Sequence, residues 1–386
     1  MTSSFKSFFE ISIIFITYIF DTIVLALTKK PTISHGLAVI RMDAIGDFIL
    51  WLDTAKELQQ LYPETKITLI ANQIWADLAA LLPYWDKVVA IDRKSLIRNP
   101  AYRLKMLRRI RRWGFESAIQ ATFSREFRYG DSVIRASGAL HRVGAMCDLS
   151  NITQLQRKIS NKWYSHLVPS TDSQLTEIER NAEFIRRIGL PNFTPQIPIL
   201  PKLKALTSPF IIQKPYFVLF PGASDPIRRW PVEYFSEILC RLITSTGMAS
   251  VLCGSKEERS LCERIINVSG MVALNLAGDT TLSDLVELIR DARLLISNET
   301  SAIHIAAAVS TPSVCILGGG HYGRFLPYNS KTESQIIPIP VTHKMDCYNC
   351  NWICTQPHEQ GKPAPCISKI NVEQVLESVK RILNCK

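Results

Sequence analysis

The turn at Gly46, after the first expected strand, lacks the G-x-G-x-x-G pattern, which weakens a dinucleotide-site reading there. It has no aromatic stacking array, zinc finger or helix-turn-helix signature, so its basic balance does not read as nucleic-acid binding. The C-x2-C at Cys347 and Cys350 has no second copy to pair with, and Leu25-Ala26-Leu27 lacks the small-x-small pattern of a signal-peptide cleavage site. Acids are few beside bases, 34 against 45, and the resulting net charge of +11 points to anionic partners. What is present, 47% hydrophobic and 20% charged residues over 386 positions, describes a globular chain long enough for two domains.

The positive charge is clustered. Arg98, Arg103, Lys105, Arg108, Arg109, Arg111 and Arg112 alternate with Leu104, Met106, Leu107, Ile110 and Trp113, an amphipathic basic helix suited to membrane headgroups or simply to a solvated face. Residues Phe8–Leu27 form an apolar stretch about as long as a bilayer span, followed by Lys29 and Lys30. Asp21 would lie inside the hydrocarbon at about 3 kcal/mol. The expectation is therefore a membrane-associating helix in residues 1–30, spanning the bilayer or lying in its interface.

Most of the ten cysteines sit in apolar runs, as reduced core thiols do. Cys347, Cys350, Cys354 and Cys366 differ: C-x2-C-x3-C-x11-C in a Pro-rich loop could hold zinc or an iron–sulfur cluster, or serve packing or an oxidisable clip. No metal or cofactor is assigned on this basis.

Elsewhere apolar strand-like runs alternate with helical segments, which implies parallel sheets. Strands are expected at 36–41, 67–71, 87–91 and 117–121, then at 216–220, 249–253, 273–276, 294–297 and 313–317, with a Pro- and Lys-rich linker at 191–215. The predicted fold class is α/β, with two Rossmann-like doubly wound domains facing a cleft, at 31–205 and 206–386. The second carries the cysteine loop 347–366 and a final helix at 372–383. In such sheets ligands bind beyond the carboxyl ends of strands.

The turns at those ends carry the candidate chemistry. Gly46-Asp47 follows the first strand; Asp47 reads either as a base for an incoming hydroxyl or as a helix N-cap. Pro221-Gly222-Ala223-Ser224 leads to Arg228 and Arg229, whose guanidinium groups match diphosphate oxygens. Glu258, after the Gly254-Ser255-Lys256 turn, could accept a ribose hydroxyl. The stretch 294–320 reads as strand, helix, strand and glycine turn. Glu299, Thr300, Ser301, Ala302 and His304 open a helix near Ser301 whose N–H groups could hold an anion. At Gly318–Gly320 only backbone is expected between ligand and sheet. His304 either faces the ligand or packs.

Together the Gly46-Asp47 turn, the PGAS…RRWP block at 221–231, the GSKEE turn at 254–258, the NLAG segment at 275–278, NETSAIHIAAAVSTP at 298–312 and GRF-x-P at 323–327 resemble glycosyltransferase family 9, the lipopolysaccharide heptosyltransferases. The resemblance runs from about residue 36 to 383. It implies a GT-B fold and inverting, metal-independent transfer of heptose from an ADP-linked donor to a lipid-linked or lipopolysaccharide core acceptor, at the cytoplasmic face of the bacterial inner membrane. It further implies Asp47 as base, Arg228 where the family commonly has a phosphate-binding lysine, Glu258 at the nucleoside, and the 299–304 turn at the diphosphate, with Gly46, Ser224 and Arg229 beside the substrates. The family turn reads closer to Asn-Asp-Ser-Gly-Pro-Met-His; Glu299 and Ser301 depart from it, which makes them the positions for donor choice. A nucleotide-sugar epimerase of the same fold and a non-catalytic, membrane-tethered nucleotide-sugar binder are the alternatives.

Overall fold

The computed structural model describes residues 3–32, 35–171, 174–203, 212–328 and 336–384, without the side chains of 3–13 and 384. The chain divides into two compact units. The first comprises 1–48, 54–173 and 180–194; the second comprises 49–53, 174–179 and 195–386. Part of the expected linker, 204–211, lies outside the described residues.

The first unit is built on six strands, β1 (Leu37–Arg41), β2 (Ile67–Asn72), β3 (Lys87–Ile91), β4 (Ser117–Gln120), β5 (His141–Ala145) and β6 (His166–Val168). They lie in the order β3-β2-β1-β4-β5-β6 with every pairing parallel. The second repeats the plan with β7 (Tyr216–Phe220), β8 (Ala249–Leu252), β9 (Leu274–Asn275), β10 (Leu294–Asn298), β11 (Ser313–Ile316) and β12 (Ile339–Val341), ordered β12-β11-β10-β7-β8-β9 and again all parallel. Counted from the first strand of each unit, both orders are 3-2-1-4-5-6, the doubly wound arrangement in which the winding reverses beside the first strand. The central strands are buried on both faces: every residue of LAVIR in β1 and LLISN in β10 is inaccessible, apolar until the polar residues Arg41, Ser297 and Asn298 at their carboxyl ends.

Helices cover both sheets. In the second unit the closing helix Val372–Asn384 inserts Val375, Leu376 and Val379 into a core that includes Phe217, Leu219, Ile238 and Leu239. In the first, Met106, Leu107 and Ile110 of the basic helix Pro100–Trp113 pack with Ala38, Ile40 and Ile70. Lys105, Arg109 and Arg112 remain exposed, but Arg103, which belongs to the same basic run in sequence, is buried.

Its partner is Asp21. The N-terminal helix Ser3–Ala26 turns Ile14, Thr17, Asp21, Val24 and Leu25 inward at helical spacing. Arg103 grips the Asp21 carboxylate through Nε at 2.6 Å and Nη2 at 2.5 Å, and donates further to Ser132 Oγ at 2.8 Å. This corrects the expectation that Asp21 lies in hydrocarbon. Among the described residues no helix is long and apolar enough to cross a membrane.

Candidate donor and acceptor turns

In the second unit β7 and β10 are neighbours at the point where the winding reverses, so the turns after them, 221–231 and 299–301, emerge side by side. Asn298, the last residue of β10, fastens them together. Its Nδ2 donates to the carbonyl of Pro221 at 2.7 Å, and its Oδ1 accepts from the N–H of Trp230 at 3.0 Å. In the sequence Asn298 stands only as the first residue of the 298–312 motif, among side chains that start a helix; its role as a fastener between two turns depends on the strand pairing.

The arginine pair separates. Arg229 turns back and donates from Nε at 3.0 Å and Nη2 at 2.8 Å to the Ala223 carbonyl, closing its own turn instead of facing a phosphate as expected. Arg228 faces the site. Its Nη2 donates to the Glu299 carbonyl at 2.8 Å, its guanidinium lies 5.2 Å from the ring centre of Trp352, and its buried Nε has no hydrogen-bond partner.

Glu299 is buried, 3.6 Å from Arg228 through Oε2, and neither carboxylate oxygen has a hydrogen bond. Burial raises its pKa to about 7, against the opposing pull of Arg228 and Arg324. Near neutrality this acid exists in both charge states. Thr300 caps the helix Ser301–Ala308. The Ala302 amide bonds Thr300 Oγ1 at 3.4 Å and the Ile303 amide bonds the Thr300 carbonyl at 3.2 Å. Those two N–H groups are thus occupied, contrary to the expectation that they face an anion.

His304 packs. Its Nδ1 is 2.6 Å from the Tyr328 hydroxyl, and burial, with Arg228 nearby, lowers its pKa to about 3, so it is a neutral ring at working pH. Glu258 accepts from the Ser255 N–H at 2.8 Å, and its carboxyl lies so close over Gly222 that a Cβ there would collide with it. Ser224 is exposed on the same turn.

The glycines after β11 behave differently from the expectation. A Cβ on Gly318 or Gly320 would strike Trp352, and one on Gly319 would strike Tyr348. The stretch lies under aromatic rings of the cysteine loop and is not left open to a ligand. Cys347, Cys350, Cys354 and Cys366 line one small cavity there, and all four are free thiols. Among the described residues no three His, Cys, Asp or Glu side chains are arranged to hold a metal ion. The loop brings the Trp352 ring to 5.2 Å from the Arg228 guanidinium.

In the first unit the turn after β1 is held by Arg41, which is fully buried. Its Nε pairs with Asp43 at 2.6 Å, Nη1 donates to the Ala121 carbonyl at 3.1 Å and to Asn181 Oδ1 at 3.0 Å, and Nη2 donates to the Asp47 carbonyl at 3.2 Å. The next helix, Ile45–Ala55, begins before Asp47, which therefore lies in its first turn with Gly46 and is not its N-cap. Asp47 is partly exposed.

Two doubly wound units with turns at the carboxyl ends of their strands define an α/β protein of Rossmann-like class. Comparison with known proteins takes this further. The family model Glycosyltransferase family 9 (heptosyltransferase) matches residues 103–349, well over half of the chain, and the protein belongs to that family. It is 25% identical over 300 residues to lipooligosaccharide heptosyltransferase 2 of Haemophilus ducreyi, covering 72% of this chain and 80% of that one. Its fold is that of E. coli ADP-heptose lps heptosyltransferase II, with a TM-score of 0.65 at 20% identity, over 90% of this chain and 98% of that one. It also matches E. coli heptosyltransferase WaaC with ADP-2-deoxy-2-fluoro heptose, with a TM-score of 0.62 at 14% identity, over 89% and 99%. The fold is accordingly of GT-B type, and the protein is a glycosyltransferase, which sets aside the epimerase and binding-protein alternatives.

Proposed function

We propose that the protein moves heptose from ADP-heptose to a lipopolysaccharide core acceptor, with inversion at the anomeric carbon. The second unit holds the donor diphosphate at the 298–301 turn; the observation that carries this is the buried Nε of Arg228, which has no hydrogen-bond partner, beside the winding reversal. The first unit supplies Asp47 as base. It takes the proton of the acceptor hydroxyl while that oxygen bonds to the anomeric carbon. The bond to the diphosphate breaks as ADP leaves with its electron pair, and Arg228 balances the charge gathering there. Glu258 serves the nucleoside.

The reading includes a place: the cytoplasmic face of the inner membrane, with the N-terminal helix and the basic helix toward the lipid. The test is turnover of ADP-heptose with a lipopolysaccharide core acceptor by wild type and Asp47→Asn. A loss of about 10²–10⁴ in kcat with donor binding intact supports the base assignment. Unchanged turnover removes Asp47 from the mechanism, and turnover only with GDP- or UDP-sugars removes the donor assignment.

A further inference from the structure

The inward face of the N-terminal helix is satisfied, but its outward face is not. Phe15, Ile16, Ile19, Ile23 and Leu27 form a solvent-exposed ridge at i, i+4 spacing, 50% to 72% accessible, ending in exposed Lys29. Beside the foot of this ridge lies a groove of about 580 Å³, between the N-terminal helix and residues 155–163. Phe15, Leu155 and Ile159 make apolar walls, and Trp163 closes one side.

The groove also carries cations with no anion among them: Lys158 and Lys162, both exposed, and Arg135. The Arg135 guanidinium is held between Tyr18 at 4.8 Å and Trp163 at 4.9 Å, and Nη2 donates to Thr22 Oγ1 at 2.8 Å. Its buried Nη1 bonds to nothing. A buried guanidinium nitrogen without an acceptor is a vacancy for an oxyanion, and apolar walls next to it match the chain that such an anion would carry.

We propose that this groove seats the phosphate and upper acyl chain of an anionic phospholipid, so that the N-terminal helix lies flat in the bilayer surface with its ridge among the acyl chains. The proposal rests on the membrane-surface reading above and adds a headgroup site to it. The Asp21–Arg103 clamp fixes the helix to the first unit, so ridge and groove meet the lipid as one rigid face.

The test is flotation of the full chain with phosphatidylcholine vesicles, with and without phosphatidylglycerol, together with quenching of Trp163 by phospholipid brominated on its acyl chains, measured against Trp163→Phe. Wild type should float with the anionic vesicles and show quenching that Trp163→Phe loses. Lys158→Glu/Lys162→Glu, at exposed positions that do not threaten folding, should weaken flotation on the order of tenfold or more and remove that quenching. Ile19→Glu/Ile23→Glu should weaken flotation comparably. If the lysine variant floats and quenches like wild type while the isoleucine variant does not float, the groove proposal is overturned and the membrane-surface reading stands. If wild type floats with neither vesicle, both fall.

Discussion

The two strand-end turns hold one ionisable side chain each in the dark, and they do it in opposite ways. Arg41 in the first unit has its guanidinium met by a carboxylate, two backbone carbonyls and an amide oxygen. Glu299 in the second is equally enclosed, yet its oxygens have no hydrogen bond and only a 3.6 Å approach from Arg228. A buried group with its partners satisfied is a staple; one left unsatisfied lowers stability and is kept where a ligand supplies the missing contact. The first turn is thus closed by its own partners, and the second is not.

Breaking the satisfied turn has the larger effect. Arg41→Ala leaves Asp43 without its cation and three acceptors without donors, and should lower the unfolding free energy by about 3–5 kcal/mol, read as a shifted denaturant midpoint. A loss under about 1 kcal/mol would mean that the network is incidental.

The unsatisfied turn should respond in the opposite direction. Because burial raises the Glu299 pKa to about 7 from 4.5, the folded protein holds that proton more tightly than the unfolded chain. Stability is then greatest below pH 4.5 for this group and falls as pH rises toward 7, levelling off above it. At about 1.36 kcal/mol per pH unit the penalty at pH 8 is roughly 3 kcal/mol. Glu299→Gln should recover up to that amount at pH 8 and nothing near pH 4.5, as measured by chemical unfolding at the two pH values. A variant equally destabilised at both would show that the carboxyl is satisfied in solution.

Much of this was legible in the sequence, and the exceptions have physical reasons. β7 was read at its observed bounds because YFVLF is an unbroken buried run. Three strands away from the sheet centres escaped: HRVGA of β5, which lies between β4 and β6, and the edge strands HLV of β6 and IPV of β12 are short, partly exposed or carry proline, and their pairing is decided by the neighbouring strand. At the site, the polar cluster after an apolar strand announced Glu299, Thr300 and a helix from Ser301. It could not show that Arg229 would fold back on Ala223, or that His304 would be neutralised by burial beside Tyr328. Gly318–Gly320 looked open because Trp352, which covers it, comes some thirty residues later. Asp21 misled for the same reason, since the arginine that makes its burial tolerable lies 82 positions away.

The most direct test of the central claim, that the 298–301 turn completes itself on the donor diphosphate, is the affinity for an ADP-sugar between pH 6 and 8, measured calorimetrically for wild type and Glu299→Gln. The diphosphate diester keeps its charge over this range, so any dependence belongs to the protein. Ionisation of Glu299 both repels the diphosphate and occupies Arg228, so wild-type affinity should fall as pH rises through about 7, by up to about tenfold per unit, while the variant stays flat. Identical pH profiles for the two proteins would contradict the account.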